Sequence, residues 1–174
     1  MMYDELLGHL AFLYGSERAP SLLNQLEKII SDFQHRYPDL AAHTGPRVTE
    51  KDAILITYGD MVRGEGSPLR VLASFLERYL AGLVNGVHFL PFFPYSSDDG
   101  FSVIDYWKVD PALGSWDDVA LTGRHFRLMF DAVINHISAE SEWFQRFLQG
   151  DPAYQDFFIT AEPTAALSQV FRPR

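Results

Sequence analysis

A chain of 174 residues is long enough for one domain with a real core, and 47% hydrophobic with 21% charged residues excludes global disorder. The net charge of −9, with Lys and Arg scattered and no basic run, argues against a nucleic-acid surface. The absence of Cys removes disulfides and thiolate metal sites.

Residues 1–50 are predicted to form a helical N-terminal extension. Its first helix runs from Tyr3 to Tyr14 and stops at Gly15. Asp4 and Glu5 stand where a secretory signal carries positive charge, and no apolar run approaches the roughly 20 residues of a membrane helix. A soluble cytoplasmic protein is the expectation. In the second helix Leu22, Leu23, Leu26, Ile29, Ile30 and Phe33 fall on one stripe, with Ser21 as the expected cap and Pro38 as the exit. A polar connector, "AAHTGPRVTEKDA", follows.

From Ala53 the texture alternates. "AILITYGD" is a short β-branched strand, and "PLRVLASFLERYLAGL" is an amphipathic helix with Leu72, Phe75, Leu76, Tyr79 and Leu83 on one face. "NGVHFLPFFP" is a second strand and leads into the polar loop "YSSDDGFSVIDYWKVDPALGS". "WDDVALTGRH" is a helix capped by Ser115. "RLMFDAVINH" is the third strand, and "AESEWFQRFLQGD" is a helix capped near Ser138.

Strand and helix thus alternate three times, and the strands are continuous apolar runs, as expected when both faces are covered. Two architectures fit: a small three-layer α/β sheet, or the first three β/α units of a (β/α)8 TIM barrel. In both, function gathers at the carboxyl ends of the strands. Those ends carry Tyr58, Gly59 and Asp60, then the loop Ser96–Phe101, then Asn135 and His136.

Each polar residue at these ends has an ordinary use as well. Asp98 and Asp99 precede Gly100 and suit a plain turn. They become a sugar-binding group if a carboxylate grips vicinal hydroxyls beside an aromatic face, which Phe101 supplies. His136 can be a structural hydrogen bonder or can donate to a sugar hydroxyl. Asp131 and Asn135 share its strand, and a buried amide there must be paired. No two of the six His residues have zinc-site spacing, so no metal is expected. The sequence has no Gly-x-Gly-x-x-Gly after a strand and no Gly-x-Ser-x-Gly elbow, and "GEGS" lacks the Lys of a phosphate loop.

"ILITYGD", "GVHFLPFFPYSSDDGFSVIDYWKVDPALGSWDDV" and "LMFDAVINHISAESEWF" resemble the sucrose phosphorylase branch of the alpha-amylase family. Within it, "PYSSDDGFSVIDY", the helical extension and the tail "DFFITAEPTAALSQVFRPR" look most like the glucosylglycerate phosphorylases. The resemblance implies a (β/α)8 barrel that is incomplete here. Residues 51–138 would be part of the catalytic barrel and 139–174 the start of an inserted region after the third strand.

The resemblance also implies a retaining α-glucoside phosphorylase. Glucosyl passes from glucosylglycerate or a sucrose-like sugar, through a covalent intermediate, to inorganic phosphate as co-substrate. Asp98, Phe101 and His136 match the family's glucose-binding residues. Arg174 matches an Arg over the acceptor and phosphate side, or is a simple surface Arg. No organic cofactor or metal is implied. Tyr106 departs from the His that sucrose phosphorylases tend to carry, which tilts the acceptor away from plain sucrose.

The family's nucleophile, acid/base and third carboxylate follow strands four, five and seven, beyond Arg174. The chain is therefore expected to be an N-terminal part of such an enzyme, with no catalytic residue of its own and an open sheet edge. The alternatives are a standalone α/β carbohydrate-binding or interaction module, and a chain whose missing barrel half is supplied in trans. No membrane or nucleic-acid partner is expected.

Overall fold

The computed structural model describes residues 2–41, 48–160 and 162. The chain divides into two compact units, residues 1–49 and 50–174.

In the first unit, helix α1 (Met2–Tyr14) ends at Gly15, whose φ of +87° an L side chain adopts only at a cost. The Gly15 N–H closes on the Ala11 carbonyl at 3.0 Å, and its own carbonyl accepts from Ala19 at 3.2 Å. The chain thereby enters α2 (Ala19–Arg36). Ser21 is not the cap: the helix starts at Ala19 with Pro20 in its first turn, where the missing N–H is harmless. Pro38 opens a further short helix, α3 (Pro38–Ala41), instead of ending the helical region. Leu10 and Ala19 are buried. Along the predicted stripe, Leu22, Leu23 and Leu26 are half-buried, whereas Ile29, Ile30 and Phe33 are exposed.

The second unit is built on a parallel sheet of β1 (Ile54–Thr57), β2 (Gly86–Phe89) and β3 (Arg127–Phe130), in that spatial order. Parallel neighbours require crossovers, which contain α4 (Pro68–Leu80) and α5 (Trp116–Gly123). Leu55, Val87 and Leu128 lie in register, as do Thr57, Phe89 and Phe130. Side chains alternate along a strand, so these six share one face, and Ile56, His88 and Met129 lie in register on the other. The first face meets Leu69, Leu72 and Leu76 of α4 and Val119 of α5. Phe92 fills the upper core, with Phe89 at 6.1 Å, Phe130 at 5.4 Å and Trp116 at 5.5 Å, all edge-on.

Four expectations are corrected here. The strands are only four residues long. Leu90 still donates to the Thr57 carbonyl at 3.0 Å, but Pro91 has no N–H to give, so β2 pairing stops and β3 ends at Phe130, not His136. Both faces are not covered: Ile54, Ile56 and Met129, on the face away from α4 and α5, are 48%, 61% and 47% exposed. The buried face of α4 is Leu69, Leu72, Ala73 and Leu76, whereas Phe75 and Tyr79 form their own tilted pair at 5.1 Å on its exposed flank and Leu83 lies past its end. Finally, α6 (Glu142–Leu148) is capped by Ser141, whose hydroxyl accepts from the Phe144 N–H, and not by Ser138. Ser115 does cap α5, in a reciprocal box with Asp118.

Candidate functional site

Two irregular segments leave the carboxyl end of the sheet and carry three of the candidate residues. The first follows β2. Ser96 donates its N–H to the Ser102 carbonyl at 3.0 Å, and Tyr95 bridges Val103 in antiparallel fashion. The result is a narrow hairpin with "DDGF" at its tip. Asp98, Asp99 and Gly100 have φ values of 62°, 51° and 100° in succession. Asp is among the few residues that tolerate the left-handed region, and two together are uncommon. Any side chain at Gly100 would be strained and crowded: a Cβ there would stand 3.0 Å from the Pro91 carbonyl oxygen and 3.2 Å from its Cβ. The glycine thus presses the hairpin tip onto the residue that ends β2. The Phe101 N–H returns to the Asp98 carbonyl at 3.0 Å, which places a carboxylate and an aromatic ring on one turn. Asp98 is exposed and Phe101 half-buried.

The second segment, 131–138, follows β3 and has no regular structure. It is held at three points. Asp131 Oδ2 lies 3.0 Å from His88 Nε2 on the sheet face away from the helices. The Tyr106 hydroxyl donates to the Val133 carbonyl, while its ring packs edge-on against Phe93 at 5.2 Å and tilted against Trp143 at 5.9 Å. Ser138 Oγ lies 2.7 Å from Ser96 Oγ, and the Ser138 N–H donates to the Val103 carbonyl at 2.9 Å. Between these points Ile134, Asn135 and His136 are exposed. Asn135 is therefore not the buried amide expected from the sequence. His136 Nδ1 sits 3.1 Å from Asn135 Oδ1. With that oxygen as acceptor, Nδ1 donates, which leaves Nε2 for a sugar hydroxyl.

Asp98 and Phe101 are thus together on one turn, and the Ser96–Ser138 bond joins that turn's hairpin to the segment bearing His136. Arg174 lies outside the described residues. At the end of β1, Gly59 is buried against Leu69, and Asp60 is exposed. Sequence reasoning missed the supporting residues. From the sequence Ser138 reads as a helix cap and Tyr106 only as a departure from a family pattern, and His88 has no assigned role. A His inside the apolar run "GVHF" was the available signal, since a side chain there must find a polar partner.

Electrostatics near the site are local. Burial pushes the Tyr106 phenol above its ordinary value, consistent with its use as a neutral donor. The Lys108 hydrogen bond holds Asp105 below the usual carboxylate range, against a smaller opposing effect of burial. Among the described residues no group of three or more His, Asp or Glu side chains could hold a metal ion, and no helix is long and apolar enough to cross a membrane.

The family profile for the alpha amylase catalytic domain matches residues 73–174. The chain belongs to the alpha-amylase family. This alpha-amylase family chain is 54% identical over 172 residues to the glucosylglycerate phosphorylase of Allomeiothermus silvanus, covering 98% of the chain and 30% of that relative. It is 51% identical to the glucosylglycerate phosphorylase of Spirochaeta thermophila, again over 98% of the chain and 30% of the relative. Among solved structures, the sucrose 6F-phosphate phosphorylase from Thermoanaerobacter thermosaccharolyticum superposes with a TM-score of 0.53 at 36% identity, over 62% of this chain and 21% of that one. The chain spans about a third of the length of the curated relatives it matches. The resemblance read from the motifs is borne out, and the three parallel β/α units are those of an incomplete (β/α)8 barrel preceded by a helical extension.

Proposed function

We propose that the end of the sheet carrying Asp98, Phe101 and His136 holds the glucose ring of an α-glucoside in a retaining phosphorylase reaction. The glucosyl group passes from a donor such as glucosylglycerate or a sucrose-like sugar to inorganic phosphate, giving α-glucose 1-phosphate. One observation carries the reading: the turn with Asp98 and Phe101 and the segment with His136 leave the same end of the sheet and are joined by a hydrogen bond between Ser96 and the buried Ser138. Membership of the alpha-amylase family and likeness to phosphorylases support it.

Asp98 accepts from vicinal hydroxyls, Phe101 offers a ring face, and His136 Nε2 hydrogen-bonds a further hydroxyl. Arg174 serves the acceptor and phosphate side. The site takes no organic cofactor or metal, and the chain works in the cytoplasm. The covalent step requires a carboxylate nucleophile and an acid/base, which the family resemblance puts beyond residue 174. On this reading the expectation is glucose binding without phosphorolysis by these 174 residues.

An NMR titration of the chain with D-glucose, together with an assay for glucose 1-phosphate from glucosylglycerate and phosphate, tests the reading. The expected result is weak glucose binding that shifts the amides of Asp98, Phe101 and His136, with no turnover. Turnover by the chain alone, or sugar shifts confined to other residues, would refute it.

A further inference from the structure

We infer that Ser138 is the positioning residue of this site: it sets the spacing between the Asp98–Phe101 turn and His136 so that both grip one sugar ring. The inference rests on the glucose-site reading above. Ser138 is 0% exposed although it follows an exposed segment by two residues. All of its polar atoms are used. Its N–H donates to the Val103 carbonyl at 2.9 Å, its carbonyl accepts from the Ser141 N–H at 3.0 Å, and its Oγ accepts from the Glu140 N–H at 3.0 Å. The same Oγ lies 2.7 Å from Ser96 Oγ. Ser96 spends its single hydroxyl proton on Ser102 Oγ at 3.2 Å, so Ser138 donates to Ser96.

Ser138 therefore holds both strands of the hairpin at once, through Ser96 on one and Val103 on the other. A residue needed only to start α6 would make neither bond, and Ser141 already performs that task. Removing the Ser138 hydroxyl leaves the Val103 backbone bond, so the chain still folds, but the hairpin tip is released from the segment bearing His136. A ring held from two sides senses that spacing, since small losses of alignment weaken every contact together.

The test is D-glucose titration by NMR of the 174-residue chain and three variants: Ser138→Ala, Ser96→Ala and Ser141→Ala. Ser96 is exposed, so Ser96→Ala removes the same bond with little risk to folding. Ser138→Ala and Ser96→Ala are each expected to weaken glucose binding about three- to tenfold, the effect of one hydrogen bond. Both are also expected to shift the amides of Asp98–Phe101 and of His136 in the absence of sugar. Ser141→Ala uncaps α6, lowers the Tm and leaves the affinity unchanged. The inference is overturned if Ser138→Ala and Ser96→Ala bind glucose like the parent, or if affinity follows Tm across all three variants. If the parent shows no glucose shift at Asp98, Phe101 and His136 but the sugar-free coupling is present, the glucose reading falls while the positioning of one segment by the other stands.

Discussion

Gly100→Ala separates two costs that usually arrive together. At φ +100° an L side chain is strained, by about 1–2 kcal/mol. Its Cβ would also stand 3.0 Å from the Pro91 carbonyl oxygen and 3.2 Å from the Pro91 Cβ, in a buried site. Both neighbours belong to the residue that ends β2, so neither moves without shifting the core, and overpacking of this kind costs about 1–3 kcal/mol more. The expected loss is about 2–5 kcal/mol, a large part of the stability of a small domain. Gly150→Ala is the matched control. Its φ is +79°, nothing lies within 4 Å of the added Cβ, and it should lose only the backbone cost of about 1–2 kcal/mol. Urea unfolding followed by Trp fluorescence reads the second unit, because the three Trp residues, Trp107, Trp116 and Trp143, all lie within residues 50–174. With a slope of about 1–3 kcal/mol per M, Gly100→Ala should lower the midpoint by roughly 1–2 M and Gly150→Ala by about half of that. Equal shifts would show that Pro91 yields freely and that the hairpin tip is not wedged on β2.

Three further outcomes are expected. Burial opposes ionisation of Asp118, but hydrogen bonds from Ser115, Ser67 and Arg70, with the Arg70 charge, hold its carboxyl below the ordinary value. A depressed carboxyl contributes stability above its unfolded pKa of about 3.9, which is lost as pH falls through the folded value. Asp118→Asn should therefore be less stable than the parent at pH 7 by about 1–3 kcal/mol, and the difference should begin to shrink only once the pH falls below about 3.9, as read by Tm across an acid series. Tyr106→Phe removes the bond to the Val133 carbonyl and keeps the ring packing; it should cost about 1 kcal/mol and speed hydrogen exchange within residues 131–136, and loss spread evenly over the core amides would contradict that placement. Phe92→Ala empties a site that is 1% exposed among four aromatic partners and should cost about 3–5 kcal/mol in urea unfolding.

The alternation of strand and helix was legible because apolar runs, turn residues and caps agreed over residues 53–130. Ser115 shows this well: a cap residue three positions before an acidic one predicts the box that forms. Strand length was not legible. "FDAVINH" continues the apolar pattern past Phe130, but pairing depends on a neighbour, and Pro91 removes that neighbour 39 positions earlier in sequence. The choice between Ser138 and Ser141 as cap of α6 was also hidden, because both sit before the same apolar run and only the tertiary contact with Ser96 distinguishes them. The candidate residues Asp98, Phe101 and His136 could be named from the motifs. Their attachment to one another could not, since it runs through hydroxyls that carry no periodic signal.

Pro91 acts twice in this fold. By withholding an N–H it ends β2, and by its carbonyl and Cβ it forms the surface on which Gly100 rests. Once β2 stops, β3 has no row to follow, and the chain after Phe130 is free to take an irregular path fixed by side chains. Those fixings come from three directions: His88 on the sheet face away from the helices, Tyr106 from the loop after β2, and Ser96 from the hairpin. A strand that ran on to His136 would have tied its orientation to the pleat, with alternate residues forced to opposite faces. Ending it early frees Asn135 and His136 from that alternation, and both are exposed. The short strands are thus part of how the site is made.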